Sequence, residues 1–208
     1  MTNALAHDLK TPLSIISGYA QNLKENIHTE KREHYAAHIQ FNVERMDKII
    51  GSMLEMTRLE SDSLQIKREE LSLAEASQEV LERYRSICQE KSIAVISEGG
   101  AVIEADHAMM VRVIDNFFIN ALENTPEGGF IGIRIRDGLF EIYNSSSHIP
   151  EERIKEIWLS FKKAELSRGS SKGTGLGLAI ASTILELHGF SYGAENRDSG
   201  VVFWFKFR

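Results

Sequence analysis

With 208 residues, 42% of them hydrophobic and 26% charged, the chain can bury the core of one large or two small globular domains. A net charge of −6 with no basic face argues against nucleic acid as the direct ligand, and no apolar run approaches the roughly 18 residues that a membrane span needs. One cysteine, Cys88, excludes an internal disulfide and makes a reducing cytoplasm the expected setting.

A first helix is expected from about Asn3 to Asn26, because Leu5, Leu9, Leu13, Ile16, Ala20 and Leu23 recur at the spacing of a buried stripe. His7 lies about 200° around the helix from Leu5, off that stripe, and Thr11, Ser14 and Gly18 share its outward face. Asp8 adjoins it. Pro12 removes the hydrogen bond to the Asp8 carbonyl and kinks the rod at a cost of about 3 kcal/mol. An outward His beside such a defect, with small residues around it, points to a site that another protein surface approaches. A plain solvent-exposed His on an amphipathic helix is the alternative.

Glu25 to Thr29 is the expected turn, with Thr29 capping the next helix and Glu30 in its first turn. Tyr35, Ile39, Val43, Met46, Ile49, Ile50, Met53 and Leu54 then form a near-heptad seam over about 30 residues, or roughly 45 Å of helix. Two helices with one stripe each cannot enclose a core. A second copy, giving a four-helix bundle in a homodimer, is the simplest remedy, and packing on the rest of the chain is the alternative. His34 and His38 could be drawn as half a metal site, but without further ligands a solvated face is expected.

Arg58 to Ile66 is polar and turn-rich, a plausible linker. Ser72-Leu73-Ala74-Glu75 is a capping box opening a helix to about Glu90, on which Cys88 is expected half-buried without a catalytic partner. Short strands at Ile93–Ser97 and Val102–Glu104 precede a helix capped by Asp106 and running to about Leu122. Strands at Ile131–Arg136 and Phe140–Asn144, a short helix at Glu151–Trp158, a helix from about Leu176 to His188, and strands at Ser191–Glu195 and Val201–Phe207 complete the chain. Strands interleaved with three longer helices predict a two-layer α/β sandwich.

Two places in this half carry chemistry. Asn116 and Asn120 share one helix face beside the apolar Val113, Ile114, Phe117 and Phe118, and two amides facing one way suit phosphate oxygens and a hydrated Mg²⁺. A solvated face is the bland alternative. In Gly173-Thr174-Gly175-Leu176-Gly177-Leu178 the alternate glycines let backbone approach a phosphate chain, and the following helix aims its N-terminal amides at the anion. No strand directly precedes the run and no Gly-Lys-Ser/Thr ends it, so it is neither a Rossmann fingerprint nor a P-loop.

His7-Asp8-Leu9-Lys10-Thr11-Pro12-Leu13 is similar to the H-box of HisKA-type sensor histidine kinases. Asn116 to Gly129 resembles the N-box of that family, and the Gly173–Leu178 run resembles the G2-box of GHKL ATPases, part of a lid over ATP. Phe161 and Lys163 match the F-box region, and Trp158 stands where the family usually has Phe. The resemblance implies an α+β protein: a helical hairpin forming a dimeric four-helix bundle over residues 1–63, then a GHKL/Bergerat-type ATP-binding sandwich over residues 66–208. It makes His7 the phosphoacceptor, Asp8 its general base, and Thr11 the residue that orients water for phosphatase chemistry. An imidazole is a competent nucleophile when its other nitrogen can release a proton, and Asp8 is placed to accept it. ATP and Mg²⁺ are the implied cofactors, held by Asn116, Asn120, Asn144, Lys163, Gly173, Thr174, Gly175, Leu176 and Gly177, with Asn120 and Asn116 on the metal. The implied partners are a response regulator and a second copy. The sensor and membrane anchor are expected to lie outside this sequence, with this part inside the cell.

The chain departs from the family at the adenine motif, usually Asp-x-Gly-x-Gly. Asn144-Ser145-Ser146-Ser147-His148 stands there. Asn144 can accept from the adenine amino group and donate to a ring nitrogen, but it lacks the carboxylate charge. Ser146 and His148 must take a backbone shape easier for glycine. Glu123 and Asn124 replace a basic and an aromatic residue. Modest ATP affinity is expected. A dimeric pseudokinase scaffold is the alternative from another class, opposed by the intact His7-Asp8 pair and glycine loop. Gyrase-, chaperone- or mismatch-repair-type ATPases are a third possibility, and those lack a phosphoacceptor hairpin.

Overall fold

The computed structural model describes residues 2–61, 64–159 and 175–207, with the side chains of residues 2–5 and of His7 outside the description. Two compact units emerge, one containing Met1–Arg58, the other Leu59–Leu159 and Gly177–Arg208.

The first unit is a helical hairpin. Helix α1 runs Thr2–Lys24 and continues through Pro12. Asn26 and His28 both take left-handed backbone (φ 52° and 49°), which reverses the chain within a few residues. Thr29 does not cap the second helix as expected. It opens a 3₁₀ turn, Thr29–Lys31, in which the Lys31 N–H donates to the His28 carbonyl. That bond satisfies an N-terminal donor without a side-chain cap. Helix α2 follows over Arg32–Leu59.

The single seam expected on α2 splits in two. Tyr35, Asn42, Ile49 and Leu59 are buried, and Ile39 and Met46 half-buried. Val43, Ile50, Met53 and Leu54 stay 41–56% exposed, as does Leu13 of α1 at 52%, while Phe41, 54% exposed, points to the opposite side of α2 from Val43 and Ile50. One hairpin thus leaves a second apolar face uncovered. Inside it, the Tyr19 ring meets Tyr35 at 5.3 Å and His38 at 5.2 Å. The His34 and His38 rings lie 4.3 Å apart, and the described residues hold no group of three or more His, Cys, Asp and Glu that could bind a metal. No helix among the described residues is long and apolar enough to cross a membrane.

The second unit is an α/β sandwich. Its elements are β1 (Glu69–Ser72), α3 (Leu73–Glu90), β2 (Ala94–Gly99), β3 (Val102–Ala105), α4 (His107–Asn124), β4 (Phe130–Arg136), β5 (Leu139–Ser145), α5 (Gly177–His188), β6 (Ser191–Arg197) and β7 (Gly200–Lys206). Five strands form one sheet in the order β2-β4-β5-β7-β6, with β2 parallel to β4 and the other neighbours antiparallel. Strand β1 had no counterpart in the sequence reading. It pairs with β3 in a separate ribbon and buries only Leu71 of Glu69-Glu70-Leu71-Ser72, too short an alternation to stand out. The short helix expected at Glu151–Trp158 is instead two 3₁₀ turns, Glu151–Arg153 and Glu156–Trp158, each a single turn without a side-chain cap.

One face of the sheet makes the core. Rows Ile131/Asn144/Val201, Ile133/Ile142/Phe203 and Ile135/Phe140/Phe205 align across β4, β5 and β7, and every member is buried. Helix α4 packs on β5 between α3 and α5, with Met110, Val113, Ile114, Phe117, Phe118 and Ala121 wholly buried. Burying the two phenylalanines contributes roughly 2–3 kcal/mol each. Cys88 is buried rather than half-buried, and burial pushes its thiol pKa up, which leaves it an inert core residue.

The predicted caps form. Ser72 Oγ accepts from the Glu75 N–H at 3.4 Å, and Asp106 Oδ1 from the Met109 N–H at 3.1 Å. Asp106 also donates its own N–H to His188 Nε2 at 3.1 Å, while His188 Nδ1 donates to the Ile184 carbonyl at 2.8 Å. One buried His thereby ties the start of α4 to the end of α5.

Candidate functional site

Helix α4 carries the polar residues that its apolar surroundings make conspicuous. Asn116 is 7% exposed, and its Nδ2 is buried without a hydrogen-bond partner among the described residues. Leaving such a donor unmet costs about 1–3 kcal/mol, so an acceptor belongs beside it. Its Oδ1 lies beside the first residue of α5, where a Cβ on Gly177 would come within 3.0 Å of it. Asn116 and the N-terminus of α5 therefore share one small space, and the absent Gly177 side chain keeps it open. The N-terminal, positive dipole end of α5 favours an anion there.

Asn120 lies one turn further along α4 and is half-buried. Its backbone carbonyl and its Oδ1 accept from Asn124 Nδ2 at 2.7 and 3.3 Å. Asn124, in a position where the family has an aromatic residue, thus holds the Asn120 side chain in place. Gly175 has φ 71°, a conformation suited to glycine, and Leu176 is buried. Gly173, Thr174, Lys163 and Phe161 lie outside the described residues.

Asn144 sits near the end of β5, in the core-facing row, only 1% exposed. Its Nδ2 donates to Ser147 Oγ at 2.8 Å. Ser146 adopts the left-handed φ of 58° expected of a glycine replacement, and its N–H donates to the Ser199 carbonyl at 2.7 Å. His148 does not follow, since it is absent from the positive-φ residues. Two bonds that fix the next residue account for the rest of the loop. Asn196 Oδ1 accepts from the Ile149 N–H at 2.9 Å, and Asn196 Nδ2 donates to the Ile149 carbonyl at 2.7 Å.

Two features escaped the sequence reading. Asp115, buried beside Asn116, accepts from the Tyr84 hydroxyl at 2.9 Å and faces Arg112 at 3.4 Å and Arg83 at 3.5 Å. Burial and this carboxylate push the Tyr84 pKa up. The cluster locks α3 to α4 behind Asn116, and an Asp inside the apolar α4 run was its available signal. Ser147 is the other. Trp158 occupies its family-atypical position as a packing residue, its ring 5.9 Å from Phe117, 4.7 Å from Tyr192 and 6.0 Å from Phe203.

On the hairpin, His7 lies in α1 with Asp8 half-buried, Thr11 exposed, and Ser14 and Gly18 exposed beyond it. Thr11, Ser14 and Gly18 therefore form an open stripe of small side chains, as the spacing predicts.

Residues 1–62 match the His Kinase A (phospho-acceptor) domain, and residues 105–208 match the family described as Histidine kinase-, DNA gyrase B-, and HSP90-like ATPase. Sensor protein VanSB of Enterococcus faecalis is 26% identical over 209 residues, covering 97% of this chain and 47% of that protein. The chain thus spans about half the length of that curated relative. The crystal structure of histidine kinase ThkA in complex with response regulator protein TrrA matches with a TM-score of 0.81 and 29% identity, over 100% of this chain and 60% of that one. The ThkA catalytic domain alone matches at 30% identity and TM-score 0.59, over 69% of this chain and 95% of that one. With an ATPase-family match over its second half, a phospho-acceptor match at its start and the fold of histidine kinases throughout, this chain belongs to the sensor histidine kinase family and comprises its catalytic core.

Proposed function

We propose that the chain transfers the γ-phosphoryl group of ATP to His7 and passes it on to an aspartate of a response regulator. The observation that carries this is the buried amide of Asn116 beside the N-terminus of α5, whose Nδ2 has no partner among the described residues, in a chain that also bears the His7-Asp8 pair on a helical hairpin. Such a donor beside a helix N-terminus fits a phosphate oxygen, and the amide oxygens of Asn116 and Asn120 fit a hydrated Mg²⁺. Mg²⁺, when bound there, neutralises charge on the phosphates. Asn144 takes the base. Lys163 and the Gly173–Gly177 loop would complete the phosphate contacts.

In the chemical step the His7 imidazole attacks the γ-phosphorus, an N–P bond forms, and the bond to the bridging oxygen of ADP breaks. Asp8 accepts the proton released by the other ring nitrogen. Thr11 supports the opposing phosphatase reaction, in which it orients the water that attacks the receiver's acyl phosphate and releases inorganic phosphate. Residues 1–63 act as the dimerisation and phosphotransfer hairpin, residues 66–208 as the ATP-binding domain, and the Leu59–Leu64 segment as the hinge between their working poses. The uncovered apolar face of Val43, Ile50, Met53 and Leu54 supports a homodimer with a four-helix bundle. In the whole protein this core works on the cytoplasmic side, joined to a membrane-anchored sensor.

The test is phosphotransfer. The labelled chain, mixed with a receiver domain and Mg²⁺, should pass label to the receiver and not to its phosphoacceptor Asp→Asn variant. Label that never leaves the kinase for any cognate or related receiver would sink the transfer step. Thr11→Ala should lose receiver dephosphorylation and keep self-labelling.

A further inference from the structure

The base pocket departs from its family by a neutral amide, and the structure supplies that amide with a partner of unusual tolerance. Asn144 is almost fully buried and points one terminal atom, Nδ2, at Ser147 Oγ 2.8 Å away. A serine hydroxyl both donates and accepts, and 2.8 Å suits N–H···O and O–H···O bonds equally. If the amide turns over, Oδ1 faces Ser147 and accepts from its hydroxyl. The pair is therefore satisfied in either orientation. The backbone around it stays fixed, because Ser146 is bonded to Ser199 and Ile149 to Asn196 on the two sides of Ser147.

The two orientations present opposite patterns to a purine. With Nδ2 toward Ser147, Oδ1 can accept from a 6-amino group, and the second Nδ2 hydrogen can reach a ring nitrogen acceptor, the adenine pattern. Turned over, the amide donates to a 6-oxo group and accepts from a ring N–H. A carboxylate in this place has acceptors only: it suits the 6-amino group but opposes the adenine ring nitrogen, and it suits the ring N–H of a 6-oxo purine but repels the 6-oxo oxygen.

We infer that the Asn144–Ser147 pair makes this a base pocket for 6-amino and 6-oxo purine nucleoside triphosphates alike, meeting both edge atoms of either base where a carboxylate meets one. This rests on the proposed nucleotide site. The probes are ATP and inosine triphosphate, which carries the 6-oxo group without the guanine 2-amino group that could clash elsewhere. Affinities are measured with Mg²⁺ by calorimetry on wild type, Asn144→Asp and Ser147→Ala, with thermal melts to check folding. Wild type should bind both nucleotides within about tenfold of each other, since each finds its hydrogen bonds met. Asn144→Asp should weaken both nucleotides by about tenfold each, the effect of one unmet buried contact on either base. Ser147→Ala should weaken both by similar factors and keep their ratio, because the hydroxyl serves both orientations. If wild type binds ATP but inosine triphosphate more than about tenfold more weakly, the inference falls while the nucleotide site stands. Undiminished affinity for either nucleotide in Asn144→Asp, or loss of only one nucleotide in Ser147→Ala, also overturns it. Failure of wild type to bind any of these nucleotides would overturn the nucleotide site itself.

Discussion

Replacing Gly177 by Ala separates the site from the scaffold that holds it. Alanine is favoured over glycine within a helix by up to about 1 kcal/mol. The new Cβ, however, would stand 3.0 Å from Asn116 Oδ1 and 3.5 Å from its Cγ. An unstrained approach needs about half an ångström more for the oxygen. Helix α4 cannot retreat, because its neighbouring residues Phe117 and Phe118 are wholly buried against the core. The Asn116 side chain must turn instead, taking its unpaired Nδ2 away from the end of α5. Propensity gain and contact strain then leave stability within about 1 kcal/mol of wild type. Affinity for Mg²⁺·ATP should fall about tenfold, the 1.4 kcal/mol of one misdirected hydrogen bond. Calorimetric titration and a thermal melt on the same samples measure both. Unchanged affinity together with lost stability would refute the reasoning, making the juxtaposition a packing detail.

Three further changes test the architecture. Tyr84→Phe removes the hydroxyl bond to buried Asp115 and should cost about 1.5–3 kcal/mol at neutral pH. Because the Tyr84 pKa is raised in the fold, its contribution is complete below the unfolded value of about 10 and declines as pH rises past it, so urea denaturation should show an alkaline loss in wild type that the Phe variant lacks. Gly99→Ala drives a Cβ into the Ile135 carbonyl oxygen at φ 82°, and a drop of more than about 3 kcal/mol in unfolding free energy is expected. Phe117→Ala empties a wholly buried site between Trp158 and Phe203, with an expected loss of about 3–5 kcal/mol and a shift in tryptophan fluorescence.

The second unit was largely legible because its signals are local. Alternation marked β4, Ser72 and Asp106 marked helix starts by their side-chain oxygens, and the apolar run of α4 made Asn116 and Asn120 stand out. What escaped depends on tertiary partners. Asp115 gains its meaning from Tyr84 and Arg83 on another helix, and Ser147 from an amide on the preceding strand. The seam of α2 was seen as one stripe because buried and exposed apolar positions interleave within each heptad, and only the partner helix separates Ile49 from Ile50. Ser146 was correctly expected to take a glycine-like backbone, while His148 was spared because Asn196 holds the chain immediately after it. Lys163, Gly173 and Thr174 rest on sequence likeness alone, outside the described residues.

The most direct measurement is incubation with γ-phosphate-labelled ATP and Mg²⁺, beside a His7→Gln control, followed by acid and alkali treatment of the product. Label that is alkali-stable, acid-labile and absent from the control is the predicted result. Label that persists in His7→Gln, or an unlabelled wild type that nonetheless binds ATP, would contradict phosphoryl transfer to His7.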